Sequence, residues 1–165
     1  MISKGKLAVI GITLALVAGI VLYANRQTQS AARDWSASNL RKIGQACMLY
    51  AQAPGHGTFP DDPAKLFPDY TTEMSLFKNP RFPDEASGYI YVAGADMKDP
   101  AAVLVYENIP ESAGAEGGQA LTMTGAVESF SSTTRIDWKH FLQDLHARVQ
   151  ASGGKMRLVP IQIGS

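Results

Sequence analysis

The longest apolar run in the chain covers residues 7–24, where Thr13 and Tyr23 carry the only clearly polar groups. As a helix this run rises about 27 Å, close to the roughly 30 Å hydrocarbon core of a bilayer. Basic residues flank it on both sides, and Tyr23 lies where an interfacial aromatic is expected. A cleaved signal peptide has a shorter apolar region of ~7–15 residues. The pattern therefore predicts an uncleaved transmembrane anchor over residues 1–25.

A second helical pattern follows and ends at Pro54-Gly55. Its apolar residues recur every three to five positions, namely Trp35, Leu40, Ile43, Cys47 and Tyr50. This spacing predicts an amphipathic helix that packs on the domain, with Cys47 as a small core residue rather than a reactive thiol. Two interpretations stay open. Either the membrane helix continues into this one, with or without a bend, or a separate helix starts at Ser38 or Asn39.

Residues 54–84 are rich in proline, and residues 63–67 within them predict a brief helix. Short apolar segments follow and predict strands. The candidate strands are residues 89–92, 103–106, 120–123 and 127–130. Their links are short and contain no helical pattern, which predicts an antiparallel meander. Thr124-Gly125 is short enough to close a tight hairpin between the last two strands.

A final helix is predicted from Ile136 to about residue 151, capped by Thr134 and with Asp137 near its start. Its apolar stripe is formed by Trp138, Phe141, Leu142, Leu145 and Val149. The tail that follows predicts an edge strand interrupted by Pro160. The expected fold class is α+β, with a long N-terminal transmembrane and amphipathic helix on a small antiparallel sheet, plus a C-terminal helix.

Charge and cysteine content narrow the function classes. The chain has 15 basic and 15 acidic side chains and no long basic run, so we expect no nucleic-acid partner. Its single cysteine excludes an internal disulfide and a cysteine-rich zinc site. After the anchor, residues 26–165 suffice for one small domain.

Candidate catalytic groups are sparse, and we expect neither enzymatic activity nor a small-molecule substrate or cofactor. His140 and His146 are six positions apart on the last helix and so lie on different faces, while His56 is expected in a flexible, exposed loop. The acidic pairs Asp61/Asp62 and Asp84/Glu85 are the best candidates for a structural calcium site. Neither pair has the alternating spacing of a calcium loop, which favours solvated turn residues.

A strip of small residues, Gly11, Ala15 and Gly19, lies along one face of the predicted membrane helix. Small residues at this spacing let two membrane helices approach closely, so the strip is a hypothetical helix-packing face. The alternative is that glycine and alanine are simply common in membrane helices.

Three stretches carry a family resemblance. They are residues 38–46 (SNLRKIGQA) with 49–51 (LYA), residues 58–61 (TFPD) with 66–70 (LFPDY), and residues 103–107 (VLVYE) with 117–128 (GGQALTMTGAVE). Their order resembles the S-N-L-[RK]-Q-I-G helix, the F-P-x-x-L stretch and the Y-E…D-G-H-V-E hairpin of type IV pilin-like and type II secretion pseudopilin-like proteins. The resemblance covers roughly residues 38–130 and implies a pilin-like fold.

The same resemblance implies a single-pass protein of the bacterial inner membrane, with a cytoplasmic N-terminus and a periplasmic domain. It implies a structural or assembly role through contacts with the bilayer and with other envelope or pilin-like proteins, itself included. The chain departs from prepilins at Lys6, which replaces a phenylalanine after Gly5, and at Ile10, which replaces a glutamate. A membrane-tethered adaptor that does not polymerise is therefore the alternative. An exported metal-binding protein is a third, less favoured interpretation.

Overall fold

A computed structural model describes residues 4–110, 117–131 and 137–162, with side chains from residue 13 onward. In chain order the elements are α1 (Lys4–Gln52), 3-10 helices at Pro63–Leu66 and Met74–Phe77, β1 (Ser87–Ala93), β2 (Val103–Glu107), β3 (Gly118–Thr122), β4 (Val127–Phe130), α2 (Trp138–Ala151) and β5 (Arg157–Gln162). The fold is α+β, with a long N-terminal helix, an antiparallel sheet and a C-terminal helix. At this level the predicted fold class is confirmed.

The sheet has the order β4-β3-β2-β1-β5, and every neighbouring pair is antiparallel. The first four strands form the predicted meander, with the hairpin at Thr124-Gly125. Gly125 has φ of 82°, a value that glycine adopts readily, and the turn is closed by the Thr122 amide, which donates to the Ala126 carbonyl over 2.9 Å. The predicted interruption at Pro160 is wrong, because β5 runs through it at the sheet edge, where proline is tolerated.

Helix α1 is continuous over 49 residues, a length of about 74 Å. This resolves the open question of a separate helix starting near Ser38. Residues 13–31 of the helix are exposed, whereas one face of its C-terminal part is buried against the sheet. Its buried residues are Ser36, Ala37, Leu40, Ile43, Gly44, Ala46 and Cys47.

Trp35 is a correction to the predicted stripe, because its side chain is 72% exposed. Five positions separate Trp35 from Leu40, which places the two about 140° apart around a helix. Ser36 and Ala37 face the domain in its place. A spacing of five residues does not keep two side chains on one face of a helix, so Trp35 did not belong in the predicted stripe.

Both faces of the sheet are covered. On one face the α1 residues pack with Leu66, Tyr89, Tyr91 and Leu121, among others. On the other face α2 packs through Trp138 and Leu145 on Val92, Tyr106 and Ala120. Because the sheet is enclosed between helices, all five residues of β3 are buried instead of alternating between core and solvent.

Helix α2 begins two residues later than predicted. Its N-cap is Asp137, whose carboxylate accepts a hydrogen bond from the His140 amide over 2.8 Å. The predicted cap, Thr134, and the predicted first residue, Ile136, lie outside the described residues. The predicted apolar stripe is confirmed at Trp138 and Phe141, whose rings stack at 5.0 Å.

Gly44 lets α1 approach β3 closely. A Cβ at this position would lie 2.6 Å from Leu121 Cδ2, a side chain that is 1% exposed. We expect Gly44→Leu to lower the free energy of unfolding by about 1–3 kcal/mol, because overpacking of this contact outweighs the higher helix propensity of leucine. Urea unfolding of the full chain in a neutral detergent measures the change. Gly19→Leu is the control, since a Cβ there meets nothing within 4 Å, and an equal loss in both variants would contradict the packing explanation.

Candidate functional site

The N-terminal part of α1 presents an exposed apolar surface. Its large exposed side chains, between 52% and 67% accessible, are Leu14, Leu16, Val17, Ile20, Val21, Leu22 and Tyr23. Soluble surfaces rarely present so many large apolar groups together, and such patches mark contact with a membrane or another protein. We call residues 13–24 of this surface the apolar arm.

No helix in the described part of the chain combines the length and the apolar character needed to cross a membrane. The apolar run of the predicted anchor begins at residue 7, and the side chains of residues 7–12 lie outside that part. Gly11, the first member of the predicted packing strip, is one of these positions. Ala15 and Gly19 lie on the exposed arm, and a Cβ at Gly19 would meet no atom within 4 Å. The strip therefore stays a hypothesis.

The strongest polar constellation surrounds Glu107, which is 0% exposed at the end of β2. Its Oε1 accepts hydrogen bonds from Ser36 Oγ at 2.5 Å and from Asn79 Nδ2 at 3.4 Å. Its Oε2 accepts from Arg81 Nη1 at 2.6 Å and from the Gln119 amide at 2.9 Å. We call these five residues the Glu107 cluster. Four donors, one of them cationic, offset the cost of burying the carboxylate.

The Glu107 cluster joins α1 to the sheet. The Arg81 side chain is 5% exposed and also donates to the Gly117 carbonyl over 3.1 Å. Ser36 Oγ on α1 lies 3.1 Å from the Tyr89 hydroxyl on β1, within hydrogen-bonding distance. The cluster thus connects the long helix, the loop before β1 and strands β1 to β3. Its groups are enclosed, which suits a structural joint better than a reactive centre.

The two acidic pairs lie in separate loops, and the carboxylates of the first pair bond within their own loop. Asp61 forms a salt bridge with Lys65 at 2.5 Å, and the Asp62 carboxylate accepts from the Ala64 amide over 2.8 Å as the cap of the first 3-10 helix. Asp84 and Glu85 are exposed in a turn. Among the described residues, no group of three or more His, Cys, Asp or Glu side chains is placed to hold a metal ion.

The three histidines do not converge. The His56 ring is exposed but stacks on Tyr50 with centroids 4.0 Å apart, and its Nδ1 lies 2.9 Å from the Tyr50 carbonyl. His140 Nδ1 lies 2.9 Å from the Asp137 carboxylate at the start of α2. His146 is exposed further along the helix. The arrangement gives no shared ligand set.

Cys47 lies in the core, as predicted, with 0% exposure. Burial raises the pKa of its thiol from 9.0 to about 12. A thiol with so high a pKa carries almost no thiolate near neutral pH and is a poor nucleophile. The interpretation of Cys47 as a core residue is confirmed.

Stability at alkaline pH follows from this burial. Desolvation also raises the pKa of Tyr89 and Tyr106 from 10.0 to about 12. The unfolded chain regains the ordinary values, so it loses protons first as the pH rises. The stability contributed by these three groups is therefore fully present below about pH 9 and is lost between about pH 9 and 12, by about 1.4 kcal/mol per pH unit for each group above its ordinary pKa.

Urea midpoints measured from pH 7 to 11 test this prediction. Cys47→Ala is the control, because it removes the earliest titration and moves the onset of the loss toward pH 10. A midpoint that stays constant from pH 8 to 11 would contradict the prediction.

Comparison of the chain with protein families, with curated proteins and with solved structures gives no match. The pilin-like resemblance therefore stays a prediction. Two features of the described residues bear on a membrane-associated function, namely the apolar arm and the Glu107 cluster that joins its helix to the domain.

Proposed function

We propose that this chain is a membrane-anchored, pilin-like structural or assembly protein of the bacterial cell envelope that acts through protein–protein contacts. One observation carries the proposal. A single helix exposes large apolar side chains at its N-terminal end, such as Leu14 and Ile20, and packs on the domain at its C-terminal end. Apolar side chains in this number need a lipid or protein environment.

In this proposal residues 1–25 anchor the chain in the inner membrane, with the N-terminus in the cytoplasm. Residues 26–165 form the periplasmic domain. The exposed residues 25–31 lie between the apolar arm and Ser36, the first buried residue of the domain-facing side of α1. At about 1.5 Å per residue, Tyr23 and Ser36 lie roughly 20 Å apart along the helix, which leaves the domain clear of the bilayer headgroups.

We assign the domain no catalytic role. Its buried charged pair, Arg81 and Glu107, is enclosed between α1 and the sheet. Of the exposed histidines, His56 lies in a loop and the other two are six positions apart on α2, and the thiol of Cys47 is inaccessible. Surface contact is the mode of action that fits this distribution.

The alternative is a membrane-tethered adaptor with a pilin-like domain that does not polymerise. Lys6 and Ile10 favour it, because prepilins carry a phenylalanine and a glutamate at the matching positions. The domain would then be held at the membrane and would bind its partner without entering a filament.

Two measurements on the full chain test these proposals. Fractionation of bacterial cells followed by alkaline carbonate extraction should leave the protein in the membrane pellet, and recovery in the soluble fraction would contradict the anchor. The N-terminal mass of the membrane-extracted protein separates the two roles. Loss of residues 1–5 would indicate prepilin processing and assembly, whereas an intact start would favour the adaptor.

A further inference from the structure

A groove lies between α2 and the sheet face beneath it. It has a volume of about 610 Å³, within the range of ligand-binding clefts. Its lining includes the small side chains of Ala102 and Ala120 and the stacked rings of Phe130 and Phe141, whose centroids lie 4.3 Å apart. This part of the lining, the floor, is therefore apolar and can accept a bulky apolar side chain.

The rim of this groove is acidic. Four carboxylates line it, those of Asp96, Asp99, Glu128 and Asp144. Asp144 is paired with Arg148 Nε at 2.8 Å, but among the described residues the other three form no salt bridge with lysine or arginine. Within the described part of the chain, the groove thus carries a local negative charge that no lysine or arginine pairs with at these three carboxylates.

The rim carboxylates come from separate elements. Asp96 and Asp99 lie in the loop between β1 and β2, where their carboxylates accept from the Lys98 and Ala101 amides, each over 2.9 Å. Glu128 projects from β4, at the sheet edge. Charges distributed in this way suit a segment that passes between the loop and β4, with cations on both sides of an apolar contact.

We propose that this groove binds a basic, apolar segment of a partner polypeptide, with an aliphatic or aromatic side chain on the floor and lysine or arginine at the rim. Charge complementarity selects this occupant, since three unbalanced carboxylates disfavour an acidic or neutral one. The inference rests on the proposed role as a contact protein and gives the chemistry of its partner. It concerns the face of the domain opposite α1.

Calorimetric titration of the full chain in a neutral detergent tests the proposal, with the peptide acetyl-Lys-Leu-Lys-Phe-Lys-amide as the probe. We expect saturable binding that weakens with added salt, and none by the peptide with glutamate in place of lysine. Replacing Asp96 and Asp99 with asparagine and Glu128 with glutamine should weaken binding about tenfold, given three rim charge pairs of modest strength. Asparagine keeps the acceptors that hold the loop.

The matched control replaces Asp69 and Asp84 with asparagine and Glu85 with glutamine, which removes the same charge from exposed positions elsewhere. Its affinity should stay within about twofold of the wild-type value, because screening confines the effect to nearby charges. Ala101→Trp, at the exposed end of the groove, should block binding without changing charge. Circular dichroism confirms that each variant is folded.

Three outcomes would overturn the proposal. They are no saturable binding by the wild-type chain, equal weakening in both triple variants, and self-association through these carboxylates in sedimentation experiments, which would make a second copy the occupant. Since the titration uses purified protein, it does not depend on membrane localisation. Cell fractionation does not depend on the groove, so failure of this proposal and failure of the membrane anchor are distinguishable.

Discussion

Replacing Arg81 with leucine is expected to lower the free energy of unfolding by about 3–5 kcal/mol, because it leaves Glu107 as an uncompensated buried charge. Glu107 is 0% exposed, and Arg81 supplies the only cationic donor to it among the described residues, at 2.6 Å. The neutral donors Ser36 and Asn79 remain but do not balance the charge. Urea unfolding of the full chain in a neutral detergent, followed by tryptophan fluorescence, measures the loss.

Arg148→Leu is the matched control for this experiment. It also replaces an arginine with leucine, but the Arg148 side chain is 57% exposed and forms a surface salt bridge with Asp144. Surface pairs contribute about 0–1 kcal/mol, so this variant should unfold near the wild-type midpoint. Similar losses in the two variants would mean that burial of Glu107 does not govern the effect, and the account of the Glu107 cluster as a structural joint would fail.

The period of the hydrophobic pattern predicted most of the fold. Each candidate strand overlaps an observed strand, and the hairpin at Thr124-Gly125 is present because only four residues, 123–126, connect the paired strands there. Trp35 was misplaced because a single apolar residue at the start of a stripe is not fixed by neighbours on both sides. The sequence also did not predict the bulge in β2. There Val103 pairs with Thr122 and Val105 pairs with Leu121, so two steps along β2 match one step along β3. No local pattern marks the extra residue, Leu104.

The candidate site was predictable only in part. The apolar arm could be found because its residues are consecutive and exceptionally hydrophobic. The Glu107 cluster could not, since Ser36 and Glu107 are 71 positions apart and Arg81 lies in a loop without a repeating pattern. The sequence held one local signal of a buried carboxylate. Glu107 directly follows the apolar residues 103–106, at the end of a predicted strand. The groove under α2 depends on which sheet face the helix covers, a choice that the sequence pattern leaves open.

Two lysines in the apolar arm are expected to abolish membrane anchoring. Leu14 and Val17 are 65% and 52% exposed and lie near the middle of the predicted anchor. Lysine costs about 2.5–3.5 kcal/mol at the centre of a membrane helix, so Leu14→Lys with Val17→Lys opposes insertion by about 5–7 kcal/mol. We expect wild-type chain made by cell-free synthesis with liposomes to stay in the carbonate-washed pellet, and the double variant to be released.

The matched control is Gln27→Lys with Ser30→Lys, which adds the same charges at the same spacing on exposed positions beyond the predicted anchor. These lysines would lie in the headgroup region or in water, where their cost is small, so the control should pellet like the wild type. Because cell-free synthesis avoids degradation in living cells, absence of the double variant from the pellet would mean that it was not inserted. If the Leu14 and Val17 variant resists carbonate as fully as the control, the apolar arm does not enter the bilayer. Its exposed side chains would then have to be covered by a protein partner.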